Sequence, residues 1–96
     1  MGLEKNLEKT FIQHGERRGF VVLKIILLGR AGFPDRTILG RGRLIGFAEL
    51  KKRGKKPMPL QDWWLNLLNE FGFVAEKVDR VDQVEHFYDR LEAQRG

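Results

Sequence analysis

The spacing of hydrophobic positions changes repeatedly along the chain, and each change marks a new element. Leu3, Leu7, Phe11 and Ile12 recur at helical spacing among Glu and Lys, which predicts an amphipathic helix over residues 3–17. Arg17 and Arg18 give it a basic last turn and Gly19 a stop. Residues 20–28 are rich in Val, Leu and Ile and read as a buried strand. A loop over 29–34 leads to a short strand at 36–39. A Gly-Arg-Gly-Arg turn then joins it to a second hairpin strand at 44–51. Leu60, Trp64, Leu67, Leu68 and Phe71 mark an amphipathic helix that follows a proline and closes at Gly72. Residues 73–78 form another short strand. Asp79 or Asp82 then caps a last helix bearing the stripe Val84, Phe87, Tyr88 and Leu91.

The order α-β-β-β-α-β-α predicts an α/β fold. A three-stranded antiparallel unit is followed by a right-handed crossover helix to a fourth, parallel strand, so a mixed sheet is flanked by helices. With no repeat and no linker, residues 1–96 read as one domain. A chain of this size buries roughly two-thirds of its unfolded surface, enough for a modest core. The longest apolar run, residues 19–28, contains Lys24 and is too short to span a bilayer, so no membrane role is expected. The absence of cysteine excludes disulfides and thiolate zinc sites. It suits a reducing cytoplasm, and the charged N-terminus lacks a signal-peptide core. The net charge of +5 favours an anionic partner such as nucleic acid.

Candidate chemistry concentrates between Gly32 and Lys51. Residues two apart on a strand share a face, so Glu49 and Lys51 project together while Leu50 turns into the core. If the two runs pair as a hairpin, Asp35 approaches Glu49. Two carboxylates and an ammonium then form a site for a hard divalent cation and a phosphodiester. The Leu50 carbonyl adds a further oxygen. An oxygen-only set points to Mg2+ or Mn2+ rather than zinc. A bare Glu-x-Lys is common on solvent-facing edge strands, but the preceding Pro-Asp and glycine-rich turn favour a site here.

Gln61 opens the helix after the basic loop, where its amide can orient a metal-bound water or touch phosphate. Glu4 and Glu8 share a face of the first helix, and either could reach over the sheet to a metal-bound water. Lys24 interrupts an apolar strand and could contact phosphate or form a salt bridge. Arg30, Arg36, Lys52, Arg53, Lys55 and Lys56, with Arg41 and Arg43, are expected to form a basic surface beside the site, suited to sequence-independent backbone binding. Trp64 lies on the apolar stripe and is expected in the core. Trp63 is left as a flank or interface residue, and His14 and His86 lie at no metal spacing.

Gly32-Phe33-Pro34-Asp35-Arg36, Phe47-Ala48-Glu49-Leu50-Lys51 and Pro59-Leu60-Gln61 together resemble the virus-type replication-repair nuclease domain, VRR-NUC. That family belongs to the PD-(D/E)xK, restriction-endonuclease-like superfamily. The resemblance runs from the helix bearing Glu8 to the final helix. It implies that Asp35 and Glu49 are metal ligands, Lys51 the catalytic lysine and Gln61 an active-site residue. It places the first-helix acidic residue on Glu8, acting through a water, with Glu4 still open, and matches Lys24 to a basic residue of the family.

Small family members resemble phage-encoded, homodimeric nucleases that act on four-way (Holliday) junctions in the bacterial host cytoplasm. The resemblance therefore leads to the expectation of a metal-dependent, structure-selective DNA endonuclease with no small-molecule cofactor. The alternatives are a non-catalytic nucleic-acid-binding module on the same fold, a nuclease for flaps or other structures, or a toxin-type or tRNA-type nuclease.

Overall fold

The computed structural model describes residues 5–95. Its elements are α1 (Lys5–Arg17), β1 (Val21–Lys24), β2 (Arg36–Gly40), β3 (Leu44–Leu50), α2 (Pro59–Glu70), β4 (Val74–Val78) and α3 (Asp82–Glu92). Leu3 and Glu4, read as the start of the first helix, lie outside the described residues. The four strands form one sheet in the order β1-β2-β3-β4. The pairs β1–β2 and β2–β3 are antiparallel and β3–β4 is parallel, as the element order predicts. The β2–β3 turn takes left-handed backbone at Gly42 and at Arg43, the latter with φ 66°.

Alternation along β3 sets the two faces of the sheet. Leu44, Ala48 and Leu50 point to one core with Leu7 and Phe11 of α1 and with Val84, Phe87 and Leu91 of α3. Phe47 and Ile45 point to a second, smaller core under α2, formed by Leu65, Leu68 and Ala75 with Phe33 and Phe73 at its margin. Glu49 is therefore on the α2 face, with core residues Ala48 and Leu50 on either side pointing away from it.

Three sequence expectations need correction. The apolar run 20–28 yields only a four-residue strand at the sheet edge. Beyond it the chain leaves the sheet, and Ile26 and Leu28 are 76% and 94% exposed. Hydrophobicity predicted burial, but the strand stops at Lys24 and the apolar residues after it have no sheet face to pack on. The α2 stripe is also rotated: Leu65 and Leu68 are buried, while Leu60 and Phe71 stand exposed. Finally, α3 has no aspartate cap. Gln83 Oε1 instead accepts the N–H groups of Asp79 and Arg80, at 2.8 and 3.2 Å.

Candidate active site

The hairpin register brings the acidic residues together. Arg36 pairs with Ala48, so one step further Asp35 and Glu49 face each other at the end of the two strands. Asp35 Oδ1 accepts the Leu50 N–H at 3.3 Å. Lys51 N–H donates to the Val78 carbonyl at 3.0 Å, which ties the end of β3 to β4. From there Lys51 Nζ stands 3.7 Å from Glu49 Oε2. Gln61 reaches the same oxygen from α2, its Nε2 donating at 3.0 Å, while its own Oε1 accepts the Met58 N–H at 2.8 Å. Asp35, Glu49, Lys51 and Gln61 thus meet between the end of β3 and the start of α2.

The loop before Asp35 is clamped from α2. Trp64 Nε1 donates to the Ala31 carbonyl at 3.2 Å, and the Trp64 ring meets Phe33 edge-on at 5.1 Å. Phe33 in turn packs on Phe47. Trp64 is therefore half-buried and a brace for the loop rather than a core residue. Gly32 has φ 85°, and a Cβ there would stand 2.8 Å from Leu60 Cγ and 3.2 Å from the Gln61 backbone nitrogen. Both the left-handed backbone and the close approach to α2 require glycine at this position. Pro34 is fully buried.

The electrostatics of the pair are those of two carboxylates forced close together. Burial pushes the Asp35 carboxyl above its ordinary value, against the Leu50 hydrogen bond and the charges of Arg36 and Lys24. Burial also raises Glu49, the charge of Asp35 adds to it, and Lys51 only partly offsets them, so its pKa rises to about 7. A cation between the two would relieve this repulsion, and the oxygen-only donor set suits a hard ion. The residues present fit such an ion, with Asp35 and Glu49 as its carboxylate ligands.

The remaining candidates are placed differently. Glu8 Oε2 is bound by Arg36 at 2.6 Å. Arg36 shares the α1 face with Ile38 and is 7% exposed, so it lies beneath the helix and not on an open basic surface. Among the described residues no group of three His, Cys, Asp or Glu side chains is close enough to hold a metal. Glu4 lies outside the described residues. Lys24 is exposed in register with Arg36, and Arg30, Lys52, Arg53, Lys55 and Lys56 are all exposed. Arg41 and Arg43, expected beside the site, sit in the β2–β3 turn at the opposite end of the strands.

Sequence reasoning missed the Trp64 brace and the bond between Gly54 N–H and Asp79 Oδ2 at 2.8 Å. The indole nitrogen bonds a backbone carbonyl 33 residues away, a partner that no local pattern signals. The glycine inside the basic loop was the available hint of a fixed turn.

No protein-family model matches the chain. A solved structure described as a VRR_NUC domain superposes with a TM-score of 0.80 at 26% identity, covering 90% of this chain and 94% of that one. Another, described as a VRR_NUC domain protein, gives a TM-score of 0.74 at 20% identity over 97% of this chain and 91% of its own, a likeness of fold. A protein of Acyrthosiphon pisum secondary endosymbiont phage 1, named "Putative nuclease p44", is 37% identical over 59 residues. That match covers 60% of this chain and 62% of the phage protein. The element order, the mixed sheet and these superpositions define a restriction-endonuclease-like fold. Within that class the chain is similar in structure to VRR_NUC domains, and a phage protein is among those similar to it in sequence.

Proposed function

We propose that this domain is a divalent-metal-dependent endonuclease that hydrolyses DNA phosphodiester bonds. The observation that carries the reading is the meeting of Asp35, Glu49, Lys51 and Gln61 where the end of β3 faces the start of α2. The likeness to VRR-NUC structures and to a phage protein named as a nuclease supports it. Asp35 and Glu49 would hold Mg2+ or Mn2+, with the Leu50 carbonyl as a further oxygen and Glu8 reaching in through a water once released by Arg36. When bound, the ion lowers the pKa of a water and offsets charge on the phosphate. Lys51 sets its ammonium against the scissile phosphate and stabilises the charge that develops there. Gln61 fixes the Glu49 carboxylate and can orient the attacking water. The exposed cations Lys24, Arg30, Lys52, Arg53, Lys55 and Lys56 bind backbone phosphates independently of sequence.

We extend the reading to a homodimer acting on branched DNA in the host cytoplasm. Two sites related by a two-fold axis suit a symmetric four-way junction. Exposed apolar side chains, Trp63 at 53% and the tip at Ile26 and Leu28, offer surface for a second copy. Phe33 does not, being packed on Phe47 and Trp64. No helix among the described residues is long and apolar enough to cross a membrane.

The deciding experiment offers four-way junction, splayed-arm and linear duplex DNA, and matched RNA, with Mg2+ and Mn2+ in parallel. Metal-dependent cutting of DNA, strongest on the junction, is expected. Binding of DNA and Mn2+ with no cleavage of any substrate would overturn the enzymatic reading in favour of a binding module, as would DNA binding with no affinity for Mn2+.

A further inference from the structure

Asp79 is a buried ionisable group that the proposed reaction leaves unused. It follows β4 and is 5% exposed. Its Oδ2 accepts the Gly54 N–H at 2.8 Å and lies 3.4 Å from Lys77 Nζ, while Oδ1 is buried with no partner among the described residues. Gly54 is the left-handed residue, φ 77°, of a turn closed by the Lys55 N–H on the Lys52 carbonyl at 2.9 Å. The turn carries Lys52, Arg53, Lys55 and Lys56, all exposed, and it begins directly after Lys51.

Like charges this close repel and favour an open, extended loop. Closure of the turn therefore needs a counterweight, and Asp79 supplies one. It takes the N–H at the turn's centre. Burial pushes its carboxyl up, but the Gly54 hydrogen bond and the Lys77 charge outweigh this and hold it below its usual range.

We propose that Asp79 is a positioning residue that fixes the 52–56 turn as a preformed phosphodiester-binding surface beside Lys51. Asp79 does not touch the nucleic acid. It removes the ordering cost that a free basic loop would meet on binding. This rests on the reading of the domain as a nucleic-acid-binding enzyme.

The test compares the wild type, Asp79→Ala, Asp79→Asn, and a variant with Lys52, Arg53, Lys55 and Lys56 all replaced by alanine. Affinity for labelled junction DNA, steady-state cleavage and limited trypsin digestion at the turn are measured on each. Asn keeps an acceptor for the Gly54 N–H and is expected to behave close to wild type. Asp79→Ala is expected to weaken affinity and raise KM by about five- to tenfold with kcat little changed, and to open the turn to trypsin.

Affinity within about twofold of wild type in Asp79→Ala overturns the proposal, as does an Asn variant no better than Ala. Hydrogen exchange at the Gly54 amide of the wild type guards against a variant that fails to fold. Strong protection supports the tether, and exchange at the rate of an open loop overturns it. A wild type that binds no DNA, or a four-alanine variant that binds as well as wild type, overturns the underlying reading of the loop instead.

Discussion

Gln61 donates from Nε2 to Glu49 Oε2 across 3.0 Å while its Oε1 accepts the Met58 N–H at 2.8 Å. One side chain thus caps the start of α2 and fixes an acidic residue of the site, so helix geometry and chemistry are coupled through it. Gln61→Glu keeps the cap acceptor but sets a second carboxylate against Glu49. Cleavage is expected to fall about 10²-fold, from lost orientation and added repulsion. Gln61→Ala loses the cap as well and should cost about 1 kcal/mol of stability. Single-turnover cleavage and urea unfolding of both variants separate the two effects. Full activity in Gln61→Glu would show that the contact is only structural.

Asp35→Asn, Glu49→Gln and Lys51→Ala are each expected to reduce cleavage by about 10²-fold or more while circular dichroism and DNA binding persist. Asp35→Asn removes one of two mutually repelling carboxylates, so in chelator the variant should melt no lower than wild type. Titration calorimetry with Mn2+ should show binding to wild type that either carboxylate substitution strongly weakens. An active Glu49→Gln enzyme with Mn2+ present would remove the pair from the mechanism.

The grouping of Asp35, Glu49 and Lys51 was legible because local rules fix it. Alternation in the 44–51 run put Glu49 and Lys51 together and Leu50 in the core, and a glycine turn of the right length set Asp35 opposite Glu49. The fate of Ile26 and Leu28 was not legible, since their exposure follows from β1 ending at Lys24 and the chain leaving the sheet there, and apolar composition does not say where a strand stops. Glu8 and Arg36 illustrate the same limit. Each has the charge expected of a functional residue, yet their ion pair joins α1 to β2, elements brought together only by the tertiary fold.

In the absence of metal, stability should depend on pH through Glu49. Its carboxyl is raised from 4.5 to about 7 by burial and by Asp35. A raised carboxyl stabilises the fold only while protonated in it. That contribution is complete below pH 4.5 and is lost as the pH rises through about 7. Asp35 is shifted in the same direction by burial. His14 works oppositely: burial first, then the Arg18 charge, lower its pKa from 6.5, so stability falls as the solution is acidified below that value. The wild-type curve alone mixes these effects, and the difference from Glu49→Gln isolates the carboxylate. That difference should amount to about 1–3 kcal/mol between pH 4.5 and 8 in chelator, read by urea unfolding. It should shrink or reverse in saturating Mn2+, which binds the ionised pair. Parallel curves for the two proteins in chelator would contradict the electrostatic account of the site.

The joint between α1 and α3 offers a test of the scaffold apart from the chemistry. Tyr88 is fully buried and donates its hydroxyl to the Phe11 carbonyl at 2.8 Å. It reaches that carbonyl by passing over Gly15, where a Cβ would stand 2.3 Å from Oη and 2.7 Å from Cζ. Glycine inside a helix costs about 1 kcal/mol relative to alanine, so Gly15→Ala would stabilise an isolated α1. Here the clash with a buried ring is larger, and a net loss of about 2–3 kcal/mol is expected. Tyr88→Phe should cost about 1 kcal/mol for the lost hydrogen bond. In the double variant the methyl meets no hydroxyl, so the combined loss should fall short of the sum, although the ring carbon still crowds it. Denaturant unfolding of the three proteins gives the coupling. Strict additivity would mean that the helix pair relaxes freely around Gly15 and that the close approach does not constrain how α1 seats on the sheet.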